Sequence, residues 1–236
     1  MEENNSFLKG VAAGMPICLG YLSVAFAFGI FAVGNGLTMW QALFMSMANV
    51  TSAGQLAAVP IIASGGTVFE LALSQVVINM RYALMSVSLS QKVSDNVRPI
   101  DRFIISFMNT DEVFGVASGC RGSVGRNYLY GLILTPYIGW SLGTLIGAAA
   151  GDILPSSVTS ALGIAIYAMF AAIVIPPAKK HRPTLLCILF AVALSLAFYY
   201  IPALAKIPSG FSVIICAVAA SALFALLCPV DVEEAQ

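Results

Sequence analysis

The chain has 236 residues, 59% of them hydrophobic and 9% charged, with 11 basic and 11 acidic side chains giving a formal net charge of zero. A soluble domain carries about a quarter charged residues, so this chain has too little polar surface for water and reads as an integral membrane protein. Its longest basic run is "KKHR" at 179–182, which leaves no electrostatic footprint for nucleic acid.

Apolar stretches of spanning length follow one another along the chain, at roughly 11–33, 39–63, 68–90, 103–119, 127–150, 157–177, 184–203 and 209–228. Each is near the ~17–25 residues that a helix needs to cross a hydrocarbon core of ~30 Å. The strand-period alternation of outer-membrane barrels is missing, so the expected fold is all-α: a polytopic helical bundle with six to eight membrane segments. The first stretch follows "MEENNSFLKG", which has two acids before its one lysine and no small-residue cleavage site after it. It reads as a retained span rather than a signal peptide. The longest hydrophilic connection is "QKVSDNVRPIDR" (91–102), so residues 1–236 are expected to form a single membrane domain.

The second stretch contains "NVTSAGQLAAVP" (49–60), which puts Ser52, Gly54 and Gln55 at membrane depth before Pro60. It is either an intact, kinked span or a broken segment, because membrane helices tolerate Gly and Pro. The third carries "SQVVINMRYALMSVSLS" (74–90). On a helix, Gln75, Asn79, Tyr82 and Ser86 line one stripe, and Ser74, Arg81 and Ser88 line another, on the opposite side. A helix with two polar stripes belongs inside a bundle. Arg81 therefore either meets an intramembrane acid or snorkels to a headgroup.

The fourth stretch holds "FMNTDEVFG" (107–115), with Asp111 and Glu112 side by side among apolar residues. An acid at a helix centre costs about 2.5–3.5 kcal/mol on insertion scales. Either these carboxylates reach cytoplasmic water beside Arg102 and Arg121, or one of them is a buried acid that binds a proton or an ammonium. Treated as one continuous helix, the stretch aligns Asp111 with Phe107, Phe114 and Ser118, and Glu112 with Met108 and Gly115. The two acids then point ~100° apart. Asp111, which follows "NT", is expected in a pathway with Ser52, Gly54, Gln55, Asn79, Tyr82 and Thr110. Glu112 is the expected charge partner of Arg81, although Asp111 could also meet it.

The second half is smoother. The hairpin "IVIPPAKKHRPTL" gathers Lys179, Lys180 and Arg182 and should be cytoplasmic. Arg121 and Arg126 then also fall inside, with Asp152 and Lys206 outside. In the first half, eight crossings would put Lys92, Arg98 and Arg102 outside, against the positive-inside rule. Six crossings plus two re-entrant or broken segments, 39–63 and 103–119, restore it. A weak echo between "GMPICLG" (14–20) and "LTPYIGW" (134–140), and between "AAVPII" (57–62) and "AAIVIPP" (171–177), argues instead for a duplicated four-segment unit. The five cysteines (18, 120, 187, 216 and 228) have no CxxC spacing and read as small core residues. With one histidine, in a basic loop, no intramembrane zinc site or Ser-His triad can be assembled. No metal, cofactor or enzymatic activity is expected.

In order, "GMPICLGYLSVAFAFG" (14–29), "TSAGQLAA" (51–58), "NMRYALMSVSL" (79–89) and "TDE" (110–112) resemble the AzlC family, the large subunit of branched-chain amino-acid exporters. The family's small-residue run ending in Gln reads "TSAGQL" here, with Leu56 in place of the frequent aromatic. The resemblance implies a multi-pass secondary transporter in the bacterial cytoplasmic membrane. Its expected cargo is valine, leucine, isoleucine or similar amino acids, and its expected partner a small hydrophobic AzlD-type subunit. Proton coupling fits the intramembrane acids. The residues alone also admit a passive channel or a membrane scaffold.

Overall fold

The computed structural model describes residues 5–151 and 181–228, together with Ala171, Ile175, Ala178 and Lys179. Among these the fold is helical and contains no strand. In chain order the helices are α1 (Phe7–Gly34), α2 (Met39–Ala48), α3 (Ser52–Ala63), α4 (Val68–Ser90) and α5 (Pro99–Phe107). They are followed by α6 (Asp111–Gly119), α7 (Arg126–Gly151), α8 (Arg182–Tyr200) and α9 (Ser209–Leu227). Five of them, α1, α4, α7, α8 and α9, are long and apolar enough to cross a membrane. Apart from Ala171 and Ile175, the expected stretch 157–177 lies outside the described residues, as do Asp152, Lys180 and most of the second half of the echo.

The two stretches with internal polar residues are each interrupted. Segment 39–63 divides into α2 and α3 at Asn49–Thr51, and segment 103–119 divides into α5 and α6 at Met108–Thr110. The cause is local. Asn and Thr side chains offer the backbone hydrogen bonds that compete with a continuing helix and favour its caps. Thr51 Oγ1 accepts from the Gly54 amide at 3.4 Å, and Thr110 Oγ1 accepts from the Val113 amide at 3.4 Å. The single helical face drawn through Phe107, Asp111 and Phe114 therefore does not exist, because Phe107 ends α5 and Asp111 begins α6.

By its contacts the chain groups into two compact units, Met1–Leu56 with Asn79–Ile166, and Ala57–Ile78 with Tyr167–Gln236. In the first, α1 and α7 lie side by side. Gly139, Gly143 and Gly147 bring the backbone of α7 against Cys18, Leu22 and Phe26 of α1. Both numbers rise together, so the two helices run parallel, and the echoing stretches 14–20 and 134–140 are neighbours. Small residues at every fourth position permit this close approach. Around the pair, Tyr21, Ala25, Leu129, Leu132 and Trp140 form a core completed by Ile105, Met108 and Val113 from the interrupted segment.

The loop after α4 is fastened to the start of α7. Val93 bridges Val124, the Val124 amide donates to Lys92 O at 3.0 Å, and the Arg126 amide donates to Asn96 Oδ1 at 3.0 Å. Lys92 Nζ donates to Ser118 O. The Asn127 amide reaches Asn5 Oδ1 at 2.8 Å, so the start of α1 shares this end. Asp101 completes the fastening. It is 1% exposed and accepts from Tyr130 Oη at 2.7 Å and the Arg98 amide at 3.1 Å, and it pairs with Arg126 at 3.0 Å. The Tyr130 hydroxyl above all, with the Arg98 amide and Arg126, holds its carboxyl below the ordinary carboxylate range against the opposing effect of burial. It stays ionised at neutral pH.

In the second unit α8 packs on α9, with the Phe190 and Phe224 rings 6.2 Å apart. There the buried Glu70 carboxylate accepts from the Gly210 amide at 2.8 Å, in the first turn of α9. Free amides and the helix dipole make a helix start a favourable place for a carboxylate.

Candidate functional site

Both interruptions of the first unit present their polar groups to the middle of a long helix. Thr110, the cap of α6, and Glu112, in its first turn, meet Tyr21, which falls at the midpoint of α1. Tyr21 Oη lies 2.7 Å from Thr110 Oγ1 and 2.5 Å from Glu112 Oε2. A phenol has one proton, so it donates to the carboxylate and accepts from the threonine. Tyr21 is itself held edge-on to Trp140 at 5.0 Å.

Asp111, the first residue of α6, pairs with Arg81 Nη1 at 2.9 Å. Arg81 also donates to Tyr82 Oη at 3.3 Å and lies over its ring at 5.0 Å. Expectation had given Arg81 to Glu112 first. The structure gives it Asp111 and gives Glu112 to Tyr21, because the two acids diverge from a helix start. That start also explains why two adjacent carboxylates persist here: they occupy the turn where amide N–H groups lack helical partners.

The other interruption meets α4 next to the same residues. Thr51 Oγ1 donates to Asn79 Oδ1 at 2.9 Å, two residues before Arg81. Asn109, at the tip of the α5–α6 break, donates to Ser86 Oγ at 3.1 Å. Asn79, Tyr82 and Ser86 of the predicted stripe are thus all engaged near the breaks.

Gln55 sits in a buried polar cluster behind the first break. It is fully buried, as are Ser46 and Thr144, whose hydroxyls are 2.6 Å apart. With its amide oriented by this network, Gln55 donates to Asn49 O at 3.0 Å and Thr51 O at 3.3 Å, and accepts from Ser46 Oγ at 3.1 Å. It closes the α2–α3 break from behind. Gly54 is buried and Ser52 half-buried in the first turn of α3. Sequence reasoning missed Tyr21, Ser46 and Thr144. The one available signal was a lone polar-tipped aromatic within the apolar run "CLGYLSV".

Arg81 and Asp111 are 48% and 45% exposed. A fully buried pair loses about 3–5 kcal/mol when one partner is removed, but this pair is open on one side. Arg81→Ala and Asp111→Ala are therefore expected to couple by only about 1 kcal/mol, near the top of the range for open pairs. Thermal unfolding of the wild type, both single variants and the double variant in detergent measures this. Strictly additive losses would show that the pair contributes nothing to stability.

Comparison with known proteins identifies the lineage. The AzlC protein family profile matches residues 16–154, more than half of the chain. The chain belongs to the AzlC family. The matched span contains all the polar residues of the site, from Tyr21 to Glu112. Among curated proteins, the inner membrane protein YgaZ of Escherichia coli (strain K12) is 28% identical over 199 residues, covering 81% of this chain and 80% of that one. A membrane protein of Archaeoglobus fulgidus, described as uncharacterized, is 29% identical over 184 residues, covering 77% and 80%. No solved structure matches. The AzlC family and these membrane-protein relatives support a membrane-transport role.

Proposed function

We propose that the chain is the large subunit of a proton-coupled exporter of branched-chain or similar apolar amino acids. It sits in the bacterial cytoplasmic membrane with a small AzlD-type partner. The observation that carries this reading is the half-open Arg81–Asp111 pair at the break of α5 and α6. Charged side chains within a membrane face the bundle interior or a water-filled cavity and mark ion and substrate paths. Transporters build such sites from interrupted helices, whose exposed backbone groups suit the charged ends of a small zwitterion. Asp111 would take a proton or the substrate ammonium, and Arg81 would be freed to hold a carboxylate. Glu112, hydrogen-bonded to Tyr21, would hold the start of α6 against α1 while Asp111 titrates.

The reading includes a topology. The start of α1, the loop 91–98 and the start of α7 share one end of the first unit, so 39–63 and 103–119 each make no net crossing. This places Lys9, Lys92, Arg98, Arg121 and Arg126 together on the cytoplasmic side, as the positive-inside rule asks. Two measurements test the proposal. Labelled leucine should exchange by counterflow in liposomes holding the protein and its partner, whereas a channel or scaffold gives no exchange. In a cysteine-free background on intact cells, an impermeant thiol reagent should label Gly36→Cys and spare Asn96→Cys. Labelling of Asn96→Cys from outside would refute the re-entrant arrangement.

A further inference from the structure

A second cavity lies beside this site, between the C-terminal half of α4 and α5. It is an open-sided cavity of about 340 Å³ that belongs wholly to the first unit. Its walls are apolar, with Leu89 on one side and Phe103 and Ile105 on the other, and Val93 and Val97 of the connecting loop close one end. The lone charge in its lining is Arg102. Among the described residues the ion pairs are Arg81–Asp111 and Arg126–Asp101, so Arg102 has no anion there. Its Nε donates to Val97 O at 3.4 Å, which leaves the outer guanidinium nitrogens for another acceptor. Asp101, its neighbour, is turned away to Tyr130 and Arg126.

We propose that this cavity is a cytoplasmic loading site for a small apolar amino acid, separate from the Arg81–Asp111 pair. The inference rests on the export reading above, and it adds where the cargo first binds and what recognises it. Arg102 takes the carboxylate, for which a planar, permanently charged guanidinium is well shaped. The C-terminal end of α4, with Ser90 beside it, has the partial negative charge that suits an ammonium. The apolar side chain then enters between Leu89 and Phe103. The volume lies at the small end of ligand pockets, about 300–1,000 Å³, and favours a single amino acid over a peptide. At the inner end sits Asn109, 2% exposed, whose Nδ2 is engaged by Ser86 while its Oδ1 has no hydrogen-bond partner. A buried carbonyl oxygen without a partner is unusual. It offers the ammonium its next acceptor on the way to Asp111, two residues further along the chain.

An anion with an apolar tail could also be an acidic lipid, and the test separates the two. Leucine counterflow is measured with the full chain and its partner, in vesicles of phosphatidylcholine alone and of phosphatidylcholine with phosphatidylglycerol. Arg102→Ala is expected to raise the KM for leucine by about ten-fold or more, the loss of a charge-assisted contact, with the maximal rate within two-fold of wild type. Arg102→Lys should recover part of the loss. Ser106→Phe, which fills the cavity without touching a charge, should raise the KM for leucine more than that for alanine. Normal exchange with unchanged KM in both Arg102→Ala and Ser106→Phe would overturn the loading site and leave the transport reading standing. An Arg102→Ala defect confined to vesicles with phosphatidylglycerol would make it a lipid site. No exchange by the wild type would overturn both.

Discussion

Replacing Asp111 with Asn is expected to leave the protein inserted and folded while removing coupled exchange. Asn has nearly the same shape, and the cap of α6 depends on Thr110 rather than on Asp111, so the helix start should survive. The charge is lost, however. The amide cannot titrate and cannot neutralise Arg81, which stands 2.9 Å from the carboxylate in the wild type. Groups that carry protons in a reaction cycle contribute about 10²–10⁴-fold, so leucine exchange should fall by about 10²-fold at equal protein content in the membrane. Glu112→Gln should be milder, because a Gln side-chain oxygen still accepts from Tyr21 at the position where Glu112 does. Exchange by Asp111→Asn at the parent rate across a range of pH would end the proposed role of this carboxylate.

The largest effect on stability is expected from Gly147→Leu. A Cβ at Gly147 would overlap the backbone carbonyl of Phe26, and it would lie 2.8 Å from the Phe26 Cα. Those atoms belong to a helix backbone and cannot rotate aside, so α1 would have to withdraw from α7. Withdrawal would also uncover the Tyr21–Trp140 contact on which the site is built. Overpacking usually costs about 1–3 kcal/mol and occasionally more. A helix–helix backbone contact belongs at the upper end, so about 3 kcal/mol is expected here, with loss of exchange as a consequence. Gly20→Ala is the matched control, since a Cβ there meets nothing within 4 Å. Melting temperatures in detergent distinguish the two. Equal melting of Gly147→Leu and wild type would mean that α1 and α7 do not depend on this approach.

What the sequence determined by itself is what hydropathy and local chemistry encode. A chain with 9% charged residues must be a membrane protein, and its apolar runs must be helical because lipid offers the backbone no other partners. The polar islands at 49–55, 79–86 and 109–112 were legible for the same reason: a residue that lipid would penalise has to be doing something else. The polar run from Asn49 and the "NT" before Asp111 marked where these segments could break. The tertiary structure alone decided which partner each group took. Arg81 had two acids within reach of its helix face, and only the start of α6 at Asp111 turned one toward Arg81 and the other toward Tyr21. Gln55 reads in sequence as a pathway residue, and packing surrounds it with Ser46 and Thr144, which are 98 positions apart in sequence. Tyr21 became a site residue because glycines of α7 set the depth and rotation of α1, and Trp140 fixed its ring. Local sequence specifies what a segment can form, whereas the meeting of residues distant in the chain is set by the close packing of helices, which no single segment records.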